Sequence, residues 1–122
     1  MLSIFDVKPS VVSRDLKGYS MLIFGECKTG KTTLASKLPK SLILAFEKGT
    51  NAIPGAMAIT INSWTDFLKV FRELTSKSTI AKAKEQFENI VIDVADIAYD
   101  YCEKYICQQN SVDTIGQIPY GK

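Results

Sequence analysis

The chain has 122 residues, a length that suits one domain with a single hydrophobic core. Its 15 basic and 13 acidic residues leave a net charge of +2, which is too weak to indicate nucleic-acid binding by itself. The chain contains no histidine, and this excludes histidine-based acid–base chemistry and histidine metal ligands.

Cysteine usage and the amino-terminal residues indicate the cellular setting. Cys27, Cys102 and Cys107 are odd in number and form no CxxC pair, which favours a reducing compartment, so we predict the cytosol. Charged residues such as Asp6 and Lys8 interrupt the first apolar residues, so we expect neither a signal peptide nor a membrane span.

The first elements in chain order are a lead-in and a strand. Residues 1–18 mix apolar and charged side chains without a clear period, which predicts a lead-in segment of low regularity. Residues 19–24 are a short apolar run and predict the first strand. We therefore assign the folded domain to residues 19–122.

The most informative motif follows at residues 25–32, which match the phosphate-binding pattern GxxxxGK followed by Ser or Thr. Glycines at positions 25 and 30 predict backbone conformations that a side chain would forbid, so that consecutive N–H groups turn toward a phosphate. Lys31 is placed to reach the β- and γ-phosphate oxygens, and the Thr32 hydroxyl to ligate Mg²⁺. The predicted nucleotide-binding residues are Gly25, Glu26, Cys27, Lys28, Thr29, Gly30, Lys31, Thr32 and Thr33.

After the phosphate-binding motif, the sequence predicts a helix and then two strands. Residues 32–38 read as a helix that Pro39 stops. Residues 41–46 are a continuous apolar run of strand length, typical of a strand covered on both faces, and they end at Glu47. After a turn, residues 57–61 predict a third, shorter strand.

The second half of the chain predicts two more helices and one strand. A helix is expected after Ser63, a good N-cap, with an aromatic stripe that indicates core packing rather than a base-stacking platform. Residues 76–88 are polar and predict a charged connector or a short exposed helix. Residues 89–93 predict the fourth strand, and residues 95–109 a helix. Strands that alternate with helices predict an α/β domain with a mostly parallel sheet.

Two carboxylates fall at predicted strand ends. Ligands gather at the carboxyl ends of parallel strands, where the phosphate loop, Glu47 and Asp93 converge in this interpretation. Asp93 is expected to hold Mg²⁺ through water or Thr32. Glu47 is a candidate for orienting and polarising an attacking water, although from spacing alone a surface glutamate at a turn is an equal alternative.

With these residues laid out, the chain resembles the RecA-like ATPases of bacteriophages, AAA-type nucleotide-binding proteins implicated in single-strand annealing and recombination. Four segments carry the resemblance: residues 28–35, 46–50, 90–93 and 116–122. It implies a P-loop NTPase fold, a RecA-like three-layer α/β/α domain that is incomplete in this chain.

The resemblance also implies chemistry and partners. ATP and Mg²⁺ are the implied cofactors, Glu47 the residue that activates the hydrolytic water, and Lys31 a catalytic cation. The implied partners are ATP or ADP, single-stranded DNA through regions absent from this chain, and a second copy in a homo-oligomer, without a membrane. A phage-encoded member would act in the host bacterial cytoplasm.

Departures from the family pattern predict slow turnover. Ala45 stands where relatives often have Asp, and Val94 where they often have Ser or Thr. Arg14 and Arg72 are the chain's arginines, and neither lies in an obvious finger position. We expect a fragment or truncated product that binds Mg-ATP and hydrolyses it slowly.

Three other functional hypotheses remain open at this point. A small-molecule or nucleoside kinase begins with the same strand, loop and helix, although this chain lacks an arginine-rich lid. A GTPase is disfavoured because neither a DxxG switch after Asp93 nor an NKxD motif occurs. The third is a non-hydrolysing, nucleotide-dependent assembly or DNA-binding module.

Overall fold

The computed structural model describes residues 4–11, 18–26, 28–47 and 55–119. Within these residues the regular structure is mainly α-helices and parallel strands, with short 3₁₀ turns at Ile4–Asp6 and Ile115–Gln117. In chain order these elements are α1 (Lys31–Ser36), β1 (Ser41–Ala45), β2 (Met57–Thr60), α2 (Trp64–Thr75), α3 (Ile80–Gln86), β3 (Asn89–Asp93) and α4 (Ala95–Gln109).

The three strands form one parallel sheet in the order β2-β1-β3. Ala45, at the end of the central strand, lies level with Thr60 on one side and Asp93 on the other. All three strands therefore end together, and we call this border the carboxyl edge of the sheet. The predicted α/β class with a parallel sheet is confirmed.

Helices cover both faces of β1. Leu44 packs in a buried cluster with Val70 of α2 and Ala98 of α4. Ile43 points to the opposite face because side chains alternate along a strand, and it is fully buried. Helix α1 packs against β1 and buries Ala35. This central strand is thus the part of the sheet covered on both faces, as its continuous apolar run predicted.

Helix α2 begins as its capping residues predict. The Ser63 hydroxyl accepts a hydrogen bond from the Asp66 N–H at 3.2 Å. Trp64 stacks on Phe67 at a centroid distance of 4.5 Å, and Phe67 in turn contacts Phe46 beyond the end of β1. The aromatic stripe therefore serves core packing through Phe67, while Phe71 at its far end is half exposed.

The predicted strand at residues 19–24 is wrong. This run has no regular secondary structure, and its apolar side chains are largely exposed, with Leu22 at 79% and Phe24 at 87%. A strand needs a neighbour that completes its backbone hydrogen bonds, and β1, β2 and β3 pair with one another rather than with this run. The apolar composition of residues 19–24 favours a strand, but the sequence did not show whether a neighbouring strand would pair with it.

The predicted and observed elements also differ in where some helices begin and end. Residues 76–88 include the short helix α3, which decides between the two predicted forms of this segment. Helix α1 ends at Ser36, before the predicted stop at Pro39. Among the residues that the structure describes, no helix has the length and apolar character needed to cross a bilayer.

Some predictions concern residues outside the described ranges. They include Cys27 of the phosphate loop, Arg14 in the lead-in, the resemblance segment at 48–50 and the tail at 120–122.

One buried hydroxyl at the start of β1 leads to a stability prediction. Ser41 is 5% exposed, and its Oγ has no hydrogen-bond partner within the described ranges. Burying a polar group without a partner is unfavourable, so Ser41→Ala should raise the free energy of unfolding by about 1 kcal/mol in chemical denaturation. Ser36→Ala is the control, because the Ser36 hydroxyl donates to the Thr33 carbonyl at 2.7 Å. A lower stability for Ser41→Ala would contradict the prediction.

Candidate phosphate-binding site

The loop between residue 24 and helix α1 turns through left-handed backbone conformations. Gly30 has φ of 91° and Lys28 has φ of 61°. At Gly30 a side chain would be strained, so the expectation for this glycine holds. For Gly25 the expectation is wrong, since its φ lies outside the left-handed region and an added Cβ would meet Thr29 Oγ1 at an ordinary 3.5 Å.

Lys31 ties the two ends of the loop together. Its Nζ donates to the carbonyl oxygens of Gly25 at 2.8 Å and Glu26 at 2.6 Å, and lies 3.5 Å from Thr29 Oγ1. The Thr29 hydroxyl donates to the same Glu26 carbonyl at 2.8 Å. The positive charge is therefore held over the loop by two of the loop's own carbonyl oxygens.

Thr32 and Asp93 come together across the fold. Thr32 is the second residue of α1 and Asp93 is the last residue of β3. The Thr32 hydroxyl donates to Asp93 Oδ2 at 2.8 Å, in a partly buried position. This bond joins the phosphate loop to the carboxyl edge across 61 residues of sequence.

These two side chains fit Mg²⁺ by the chemistry of their atoms. A hydroxyl and a carboxylate are the hard oxygen ligands that Mg²⁺ prefers, and this ion usually takes one or two carboxylates together with phosphates and waters. Among the described residues, no group of three or more His, Cys, Asp or Glu side chains lies together. A magnesium ion at Thr32 and Asp93 would thus need phosphate or water to complete its shell.

Glu47 lies at the same edge of the sheet. Its neighbour Phe46 donates a backbone hydrogen bond to the Asp93 carbonyl at 2.8 Å, so the chain still runs beside β3 at this point. Glu47 is exposed, and its carboxylate makes no hydrogen bond to any residue that the structure describes. The structure therefore brings Glu47 near Asp93 in the fold, while its role stays a prediction.

The side chains of the remaining predicted loop residues that the structure describes make fewer contacts within the site than those of Lys31 and Thr32. Glu26 and Lys28 are exposed, and Glu26 acts in the loop through its carbonyl. Thr33 is exposed in α1, and its carbonyl accepts a bond from Ser36 within the helix. Helix α1 has only six residues, so its dipole would add little to the attraction of an anion. Most of that attraction would have to come from the loop N–H groups and Lys31.

Phe46 was not among the predicted site residues, yet it lies between the core and the site. Its backbone bonds to Asp93 and its side chain is 6% exposed. The available signal was alternation, because an apolar residue directly before a strand-end carboxylate turns its side chain to the opposite face.

Comparison with known proteins bears on most of the chain. A family model described as an AAA domain matches residues 17–122. The chain is also 40% identical over 114 residues to the SPbeta prophage-derived uncharacterized protein YorG of Bacillus subtilis (strain 168), a match that covers 93% of this chain. The chain spans 35% of that relative's length. No solved structure matches the chain significantly. Because the family model covers most of the chain, this protein belongs to the AAA domain family of P-loop nucleotide-binding proteins.

Proposed function

We propose that this chain binds Mg-ATP through residues 25–33 and forms the nucleotide-binding part of a RecA-like ATPase of phage origin. The observation that supports this best is the Thr32–Asp93 hydrogen bond of 2.8 Å, beside a lysine drawn over the loop. A glycine-rich turn with no ligand has no need for a lysine over the loop and a hydroxyl–carboxylate pair next to it in the chain and fold. The AAA domain match supports nucleotide binding by this chain.

The proposed roles follow from charge and atom type. Lys31 neutralises the β- and γ-phosphate oxygens, and the loop N–H groups from Gly25 to Thr33 bind the phosphate chain. Thr32 and Asp93 would hold Mg²⁺, which offsets the charge that develops on the phosphates during transfer. Lys31 is catalytic in the sense that its charge also stabilises the transferring phosphoryl group.

Glu47 is proposed to act on water. Its carboxylate accepts a hydrogen bond from the water that attacks the γ-phosphorus, which orients the water oxygen in line with the leaving oxygen. Its exposure leaves it accessible to solvent water, and its place beside the end of β3 supports this role.

The biological setting is proposed from the resemblance and from the prophage relative. We propose DNA recombination or single-strand annealing as the process, in the cytoplasm of a bacterial host. Single-stranded DNA would bind through regions outside this chain, and a homo-oligomer would place one subunit beside the nucleotide of the next. Residues 1–18 remain a proposed lead-in to the domain at 19–122.

A thermal-shift titration tests nucleotide binding directly. At about 100 times its dissociation constant, a ligand adds about 2.7 kcal/mol to the free energy of unfolding. For a domain of this size that corresponds to a rise of about 10 °C in Tm. We expect this rise with Mg-ATP, a smaller one with ADP, and a smaller one with ATP plus a magnesium chelator. Mg-GTP measures base selectivity.

The outcome against the proposal is equally clear. If saturating Mg-ATP, Mg-GTP and ADP all leave the Tm unchanged, the loop does not bind nucleotide, and the proposed function fails.

A further inference from the structure

Phe46 occupies an unusual place, because it belongs both to the hydrophobic core and to the carboxyl edge. Its side chain is 6% exposed. The ring lies 6.1 Å from Phe67 of α2 and 5.6 Å from Tyr101 of α4, measured between ring centroids, with tilted planes in both pairs. Tilted aromatic pairs at these distances are favourable beyond the area that they bury. Two helices therefore hold this ring from two sides.

The backbone around Phe46 is also held on two sides. The Phe46 N–H donates to the Asp93 carbonyl at 2.8 Å, on the β3 side. The preceding carbonyl, that of Ala45, accepts the Ile61 N–H at 2.9 Å, on the β2 side. The peptide group between Ala45 and Phe46 is thus bonded on both sides, while the Phe46 ring contacts two helices.

Phe46 and Asp93 belong to opposite faces of the sheet. Phe46 and Leu44 share the face that packs against α2 and α4. Ala45 and Asp93 are register partners and lie on the opposite face, where Asp93 accepts the hydrogen bond from Thr32. Glu47 is the next residue after Phe46, in the bend that follows β1, so the backbone at Phe46 sets where the Glu47 side chain starts at this edge.

We infer that Phe46, held between Phe67 and Tyr101, is a positioning residue that keeps Glu47 in place for hydrolysis. This inference rests on the proposed function, since it assigns a support to the carboxylate that orients water. Glu47 itself makes no hydrogen bond to any described residue, so within the described part of the chain the bonded backbone at Phe46 is its support. A displacement of about 1 Å at a reacting group can reduce a rate by about 100-fold.

Four variants test the inference with matched controls. Phe46→Leu and Tyr101→Leu each remove one ring of the contact between Phe46 and Tyr101. Tyr101→Phe keeps both rings and removes only the hydroxyl. Val70→Ala removes volume from the same buried cluster on α2 but no aromatic contact to Phe46. For each variant we would measure the Mg-ATP dissociation constant, the thermal stability, and the single-turnover hydrolysis rate with protein in excess, taking Glu47→Gln as the background.

The expected result separates position from stability. Phe46→Leu and Tyr101→Leu should lose about tenfold in hydrolysis rate, with the dissociation constant within about twofold of the original chain. Tyr101→Phe and Val70→Ala should keep the rate, even if Val70→Ala melts at a lower temperature. A core defect acting through general loosening would slow all the destabilised variants alike.

Each other outcome overturns the inference. It fails if Phe46→Leu hydrolyses ATP at the original rate, if Val70→Ala is slowed as much, or if the loss appears in binding instead of rate. It also fails if the original chain binds Mg-ATP but shows no hydrolysis above the Glu47→Gln background, and in that case nucleotide binding still stands. Failure of the original chain to bind Mg-ATP identifies failure of the proposed function itself.

Discussion

We expect Lys31→Ala to weaken Mg-ATP binding by about 100-fold, since it removes the cation that we propose makes charge-assisted hydrogen bonds to phosphate. The change also removes the two bonds from Nζ to the Gly25 and Glu26 carbonyls, so the loop loses the side chain that ties its ends together. Isothermal titration calorimetry with Mg-ATP measures the affinity, and a thermal-shift series in the same buffer should show the rise in Tm disappear.

Lys37→Ala is the matched control for this prediction. Lys37 is exposed directly after α1, and its replacement removes the same unit of charge near the loop without touching it. We expect its affinity to stay within about twofold of the original, because exposed charges at this range are screened by salt. Equal affinities for Lys31→Ala and the original chain would remove Lys31 from the site.

The second large effect is expected for Glu47→Gln, which should reduce the hydrolysis rate by about 100-fold and leave Mg-ATP affinity nearly unchanged. Glutamine keeps the size of the side chain but is a much weaker acceptor for a proton of the attacking water. Because turnover by this chain is expected to be slow, the rate is best measured in single turnover with radiolabelled ATP, with and without single-stranded DNA.

Glu26→Gln is the control for the change in charge. Its side chain is exposed on the phosphate loop, and its contacts within the loop are made by the carbonyl oxygen. This variant should hydrolyse ATP at the original rate. If Glu47→Gln also does so, Glu47 has no part in activating water, and the exposed side chain is only the start of a turn.

Elements with strong local signals were predicted well from sequence. Helix α4 has the predicted bounds, Ala95–Gln109, and α2 begins after the predicted cap at Ser63. Caps and helical periodicity act within one or two turns of chain, so a short stretch of sequence contains the information. The central strand was also predicted, because a strand buried on both faces has a continuous apolar sequence.

Features that depend on partners distant in the chain were predicted poorly or missed. Residues 19–24 have the composition of a strand, yet their backbone pairs with none of β1, β2 and β3. Phe46 gave no sign of its position between two helices, because Phe67 and Tyr101 come from later parts of the chain. Gly25 shows the same limit at small scale, since a motif gives residue types but not their dihedral angles.

The amino-acid sequence alone determined the candidate chemistry of this protein: a phosphate loop with Lys31 and Thr32, and two carboxylates at strand ends. Motif spacing is a local property, so these residues were recognised without coordinates. Only the tertiary structure decided that Thr32 and Asp93 touch, that Lys31 bonds to the loop carbonyls, and that Phe46, the residue before Glu47, bonds to Asp93 through its backbone. Such contacts depend on strand register and helix packing, which arise from the whole fold acting together and not from any one segment.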